Sequence, residues 1–318
     1  MKLPAFLNFR REACHTALVA GADGLSVAGV NITGSRPVIQ FCEYLPWGAT
    51  DGRDKILRQA VSSHHLRASA TTTVLDLGSY NMLSVEAPEV PVEELKSAVR
   101  WRIKDLIDFH VDDAVIDVFD APLSGVEGRL NNIYAVVARK SVVQEQVDFL
   151  QNCNVNLDAI DIPELVLRNI ANYLPGNDAG LVLIYLAADY GRIIIVKNST
   201  LYLARSLDLG FRNFQETVSG EDGLLEASLQ DRLILEVQRS LDYYDRYFRQ
   251  PQVASLVLAP VPMDATRLCE SLQENLGIAS GMLDANEVFH CSDHLDMDMQ
   301  SRCLMAIGAA LRREQPVL

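Results

Sequence analysis

One pattern occurs twice in this chain, and it limits the folds open to it more than anything else in the sequence. Three apolar, alternating runs joined by tight turns open the first half: residues 15–20, 25–32 and 37–44, with Gly21-Ala22-Asp23-Gly24 and Thr33-Gly34-Ser35 between them. Alternation of this kind between turn residues reads as antiparallel strands. The same triplet returns at 181–186, 192–197 and 201–207. Each triplet then gives way to helices and single strands. In the first half these are a helix at 54–64, striped by Ile56, Leu57, Ala60 and Val61, and strands at 72–77 and 82–86. Pro91 then leads a helix expected to run to about 107, with Leu95, Val99, Ile103, Leu106 and Ile107 on one face. Strands at 114–120 and 132–138, a helix at 141–152, a strand at 156–161 and a helix at 163–173 follow. After the second triplet come a long amphipathic helix (224–248), a strand (254–259), a helix (265–276), a short strand (279–283) and a closing helix (294–313).

The turn-rich stretch NYLPGNDAG, residues 172–180, separates the halves. The organisation expected is a first domain of residues 1–174 carrying an inserted subdomain at about 88–161, and a second domain of residues 175–318. Antiparallel triplets leading into βα units, twice over, are the outline of the actin, Hsp70 and hexokinase class of α/β folds.

Composition excludes several roles. With 49% hydrophobic and 22% charged residues the chain is that of a folded globular protein. Its formal net charge of −14 repels phosphate backbones and anionic headgroups, which argues against nucleic acid and against direct membrane binding. The basic clusters, Arg10-Arg11, Arg100 with Arg102 and Lys104, and Arg312-Arg313, are short and separated. The first fifteen residues lack the apolar core and cleavage site of a signal peptide, and no run reaches the length of a membrane helix. A cytoplasmic protein, brought to any membrane by a partner, is expected. Six scattered cysteines without a CxxC pair read as small buried hydrophobes.

Motifs for chemistry are sparse. No Walker A loop, nucleophile elbow or Gly-x-Gly-x-x-Gly fingerprint is present. His290-Cys291-Ser292-Asp293-His294, with Asp296 and Asp298, has the composition of a metal site, but it straddles a loop and a helix start at which Asp293 is a natural N-cap. No metal is expected there. His64-His65 reads as a solvated helix end, and Glu93-Glu94 and Asp112-Asp113 as solvated surface. The spacing of Trp101 leaves its burial open.

Three segments sharpen the fold. VPVEELKSAVRWRIKDLIDFHVDDAVIDVFDA (90–121), VVARKSVVQEQVDFLQNCNVNLDAIDIPELVLRNI (136–170) and LILEVQRSLDYYDRYF (233–248) resemble, in order, signature stretches of the PilM family. Asp108-Phe109-His110 replaces the family's proline-containing turn. The resemblance implies an actin-like fold and a scaffold of type IV pilus biogenesis. It also implies a partner: the cytoplasmic tail of a single-pass inner-membrane protein of the PilN type, MshJ in the mannose-sensitive haemagglutinin (MSHA) branch that this sequence most resembles. Other pilus assembly components are implied as further partners. The cytoplasmic domain of GspL proteins is a relative of the family.

Actin-like ATPases hold phosphate on two glycine-containing hairpin turns, each preceded by an aspartate that positions Mg²⁺ or water. Here the candidate residues are Gly21, Asp23, Gly24, Asp189 and Gly191, with neither aspartate on the strand before its turn. Tyr185 stands where the family has aspartate and Ala187 where it has glycine; Pro260 and Pro262 occupy the glycine-rich turn on the adenosine side. The aspartates fit either displaced Mg²⁺ carboxylates or plain turn residues, and the second is the expectation. No catalytic residue and no cofactor are expected. An ATP-binding or ATP-switched ATPase is the alternative, and a sugar or acetate kinase relative a remoter one.

Overall fold

The computed structural model of the chain describes residues 14–32, 34, 36–48, 52–125, 132–218 and 223–313. The N-terminal stretch with Arg10-Arg11, and Thr33 and Ser35 of the second turn, lie outside them. The chain begins with β1 (Cys14–Ala20), β2 (Gly24–Asn31) and β3 (Val38–Pro46), then α1 (Arg53–Ser63) and β4 (Thr71–Val74). β5 (Tyr80–Glu86), α2 (Val92–Ile103), β6 (Ala114–Asp120) and β7 (Asn132–Arg139) follow. α3 (Lys140–Asn152), β8 (Leu157–Asp161) and α4 (Pro163–Ala171) complete the first half. The second holds β9 (Leu181–Leu186), β10 (Gly191–Lys197), β11 (Thr200–Leu207), α5 (Phe211–Val218), α6 (Gly223–Phe248), β12 (Ser255–Leu258), α7 (Thr266–Leu276) and β13 (Ala279–Met282). α8 (Ala285–Val288), β14 (His290–Cys291) and α9 (Met297–Ala310) close it.

The doubled pattern becomes two sheets of one design. The first runs β14-β3-β2-β1-β4-β8 and the second β11-β10-β9-β12-β13. In each, three strands pair antiparallel and the next two join parallel to the first of them. Strands such as Leu181–Leu186 are almost continuously apolar because helices cover both faces of each sheet. On one face of the first sheet Leu18, Leu25 and Val27 pack with Leu57, Ala60 and Val61 of α1 and Leu150 of α3. On the outer face of the second, Val182, Ile184, Ile193 and Ile195 pack with Leu233, Val237 and Tyr244 of α6 and Leu268 and Leu272 of α7. The two inner faces share one core with α4 and α9 between them.

β5, β7 and β6 form a separate three-stranded antiparallel sheet, covered by α2 through Val99 and Ile103. The stretch expected as an insertion, about 88–161, ends on β8, which pairs with β4 in the six-stranded sheet, while β5 before it belongs to the three-stranded one. At the other end of the described residues, β14 pairs with β3 and α9 packs on β1 to β4, so these elements return to the first sheet.

Some boundaries differ from the sequence reading. α2 stops at Ile103 rather than near 107, because a turn in which Leu106 N–H bonds the Ile103 carbonyl carries the chain away; Leu106 is exposed. The closing helix starts at Met297, not His294. Its N-cap is Asp296, whose carboxylate accepts the Met299 N–H at 2.8 Å, so Asp293 has no capping role. The reason is a knot upstream: Asn286 Oδ1 accepts the Leu295 N–H at 3.0 Å, and buried Gln300 donates to the Leu295 carbonyl at 2.9 Å. That hold keeps residue 295 out of the helix.

The same knot is anchored on Asp284, the N-cap of α8, which accepts from Asn286 N–H at 2.9 Å and from Gln300 Nε2 at 2.8 Å. Burial alone would raise its carboxyl, but the bonds from Asn286 and Gln300 outweigh burial and hold it below the usual range. A depressed folded pKa gives stability that is present above the unfolded value of about 3.9 and lost as pH falls through the folded one. Asp284→Ala is therefore expected to cost about 1 kcal/mol at pH 7. The gap to the parent should narrow as pH falls below the unfolded value of about 3.9, as checked by urea denaturation across pH.

Candidate functional site

The two turns that the sequence marks out come from different sheets. Gly21, Ala22 and Asp23 link β1 to β2; Gly21 N–H bonds the Gly24 carbonyl at 2.8 Å. Trp47, just beyond β3, pins this turn by donating its indole N–H to the Gly21 carbonyl at 2.8 Å and its backbone N–H to the Asp23 carbonyl at 2.9 Å. The second turn links β9 to β10, with Gly191 opening β10 and Ala187 N–H donating to the Tyr190 carbonyl at 2.8 Å.

What brings the turns together was not legible in the sequence. α5 begins on the second turn, where Phe211 N–H bonds the Ala187 carbonyl at 2.8 Å and Arg212 N–H the Ala188 carbonyl at 3.1 Å. The Arg212 guanidinium then reaches Asp189 at 3.0 Å and Asp23 at 3.6 Å. One cation thus joins a carboxylate from each sheet. Relative exposures of 47% for Arg212 and 68% and 70% for the aspartates keep this bridge within about 0–1 kcal/mol. Nothing in the local pattern around Arg212 signals the contact, because it is made across the fold.

The third marked segment follows β12. Ala259 N–H bonds the Ile184 carbonyl at 2.7 Å, and Ala259, Pro260 and Val261 are buried. Gln215 of α5 donates to the Pro262 carbonyl at 3.0 Å. Tyr185 lies on β9 opposite Arg192, and its phenol is pushed up by burial and then by Tyr190. Tyr190 is also raised, by burial and then by Asp76, a carboxyl in the β4–β5 turn that burial itself raises. Asp76 is a member of this cluster that sequence reasoning missed.

Beneath the turns lies a buried polar group, also unforeseen. Glu164, in the first turn of α4, is 2% exposed; Arg192 Nε lies 3.0 Å from its carboxylate, off the line of a hydrogen bond, and Tyr80 donates its hydroxyl to it. Burial, then Glu164, push the Tyr80 phenol up. The group draws on α4, on β10 of the second sheet and on β5 of the three-stranded sheet. Close by, buried Asp161 accepts from Arg312 at 3.0 Å and from Ile162 N–H at 2.9 Å.

The remaining candidates separate. His290 and Cys291 pair with β3 while Asp293 and His294 sit in the following loop, and among the described residues no group of three or more His, Cys, Asp or Glu is placed to hold a metal ion. His64 corrects the expectation of a solvated end: its ring stacks on Phe41 at 4.2 Å, its Nε2 lies 2.6 Å from Glu43, and only His65, with φ 55°, faces solvent. Trp101 is 74% exposed. Glu93, Glu94, Asp112 and Asp113 are exposed, with Asp112 accepting from Arg100 at 2.9 Å. The Cys42 thiol is pushed far up by the neighbouring Cys303 thiol and then by burial; both cysteines are free.

No family model and no curated protein matches the chain. Among solved structures it is similar to a chain of the PilM-PilN type IV pilus biogenesis complex, with 20% identity over 96% of this chain and 100% of that one and a TM-score of 0.71. It also matches a Bacteroides thetaiotaomicron protein with an actin-like ATPase fold, at 12% identity, 93% and 98% coverage and a TM-score of 0.49. A third match is the cytoplasmic domain of EpsL, an inner membrane component of the type II secretion system of Vibrio cholerae, at 10% identity, 94% and 96% coverage and a TM-score of 0.49. The fold is actin-like. Among the described residues no helix is long and apolar enough to cross a membrane.

The buried Glu164 makes a sharp prediction. Arg192→Ala strands a carboxylate that is 2% exposed and is expected to destabilise the protein by about 3–5 kcal/mol. Arg192→Leu combined with Glu164→Leu should recover most of that loss in the same thermal or urea melts.

Proposed function

We propose that this chain is a cytoplasmic, PilM-like scaffold of type IV pilus biogenesis, recruited to the inner membrane by the tail of a PilN-like protein, and that it is not an enzyme. The observation that carries the reading is the placement of the three segments that resemble PilM. They form α2 with β6, the run from β7 through β8 to α4, and the second half of α6, and 96% of the chain matches the fold of a chain of the PilM-PilN complex. The finer assignment, to the MSHA pilus with an MshJ-like partner, rests on the resemblance of the sequence alone.

The resemblance implies that the partner's tail binds where the three-stranded sheet meets the first sheet. An edge strand offers backbone pairing and apolar side chains offer pockets. Trp101 on α2 and Leu106 just beyond it, 74% and 57% exposed, are large anchors of the kind that dominate interfaces. An acidic surface suits a tail with basic residues next to the membrane.

A nucleotide is a poor fit to the residues present. Mg²⁺ needs carboxylates that are open to it, and Asp23 and Asp189 both face the Arg212 guanidinium. Ala187 N–H is spent on Tyr190, and prolines shape the buried turn after β12. These features support a degenerate site.

Two measurements test the reading. A peptide of the partner's first dozen or so residues, titrated into the full chain, is expected to bind with roughly micromolar affinity and to lose tenfold or more on Trp101→Ala. No binding to the folded chain would sink the scaffold assignment. Calorimetry with Mg²⁺–ATP is expected to show no binding heat, and hydrolysis should stay at background. A one-site isotherm would favour the ATP-switched alternative.

A further inference from the structure

Acidic residues outnumber basic ones 42 to 28 in this chain, yet one exposed stripe of it runs the other way. It lies on α6. Leu235, Arg239, Asp242 and Arg246 follow one another at spacings of four, three and four, which sets them on a single helical seam about 16 Å long. Tyr243 flanks the seam. Leu235 and Tyr243 are 48% and 44% exposed, the two large apolar side chains that α6 turns to solvent among the described residues.

Beside the seam is a concavity. Arg205 reaches in from β11, an edge strand, and with Arg239, Asp242, Tyr243, Arg246 and Tyr247 lines an open depression of about 500 Å³. Its aromatic wall is braced. The Tyr243 and Tyr247 rings stack at 5.1 Å and 10°, and the Tyr247 hydroxyl accepts from Asn132 of the three-stranded sheet at 3.3 Å. Arg205 and Arg239 share Glu236, at 3.3 Å and 2.6 Å. Three guanidiniums thus face two carboxylates, so the stripe keeps a positive excess on a protein whose formal charge is −14.

We propose that this face of α6 is a docking stripe for an amphipathic helix of a partner protein that carries glutamates or aspartates beside its apolar residues. An exposed apolar residue and an aromatic beside a line of charges give a second, amphipathic helix something to pack on, and the charges set partner choice and orientation. Arginine and tyrosine are the residue types that concentrate binding energy at such contacts. Charge selects the class of partner. A second copy docking stripe to stripe would set the same guanidiniums against each other, and a bilayer, being broad and flat, would also meet the acidic surface beyond the stripe. A carboxylate-bearing helix meets Arg239, Arg246 and Arg205 while its apolar side chains cover Leu235 and Tyr243. The inference stands apart from the reading of the nucleotide turns and of the PilN-like tail.

The test uses the full chain and a labelled 21-residue helical peptide of Leu, Ala and Glu, with Leu and Glu on one face, followed by fluorescence anisotropy. Binding is expected, with tenfold or greater weakening on Arg246→Glu and on Tyr243→Ala, and no change in melting temperature to explain it. A matched peptide with Lys for Glu should not bind. Absence of binding, equal binding of the lysine peptide, or indifference to both substitutions would overturn the proposal. So would sedimentation showing that the chain self-associates through this stripe, or flotation with phosphatidylglycerol vesicles that Arg246→Glu abolishes.

Discussion

The architecture hangs on a helix that has almost no outside. Of the nine residues of α4, all but Arg168 are buried, between a sheet on each side and against α9. Such a position is stable only if its polar groups are satisfied and its neighbour comes close. Glu164 takes Arg192 and Tyr80, and Asn169 donates to the Gly308 carbonyl at 3.1 Å. Gly308 makes the approach possible, since a Cβ there would stand 2.7 Å from the Val166 carbonyl oxygen. Because leaving one member of a buried charged pair alone is so unfavourable, the second sheet and β5 are held in one arrangement around this helix.

That arrangement sets where the two hairpin turns stand relative to each other. With α4 at the bottom, the β1–β2 and β9–β10 turns are brought within reach of one side chain, Arg212. The bridge is exposed and weak, so it contributes little to holding the halves in place; α4 does that. Its consequence is chemical: two carboxylates that would suit a metal ion instead face a guanidinium. The two surfaces proposed for binding both lie at the periphery, on α2 with its exposed Trp101 and on the outer face of α6.

Much of this was legible in the sequence, for stated reasons. Strands covered on both faces read as apolar runs, and turns read as Gly and Asp, so the doubled triplet located both sheets, and β9 and β10 fall within a residue of their expected bounds. The stripe of α6 was equally clear, from residue 224 expected to Gly223 observed. Boundaries failed where a helical rhythm outlasted its helix, at Leu106, and where side chains held a segment back from one, at Leu295. β14 escaped notice because two residues carry no period.

Local propensity and hydrophobic period belong to the sequence, and they determined the kinds of element, their order and the repeat. Which groups meet across that repeat was decided only by the tertiary structure. Glu164 with Arg192, Asp161 with Arg312, Cys42 with Cys303 and Arg212 with both turn aspartates are pairs far apart in the chain. Short spacings encode neighbours on a helix or strand, but they hold no information about contacts formed when two sheets close on a shared helix. The same reason separates His64 from His65: one is the C-cap of α1 and falls against Phe41 and Glu43 of β3, and the other, one residue on, turns with positive φ into solvent.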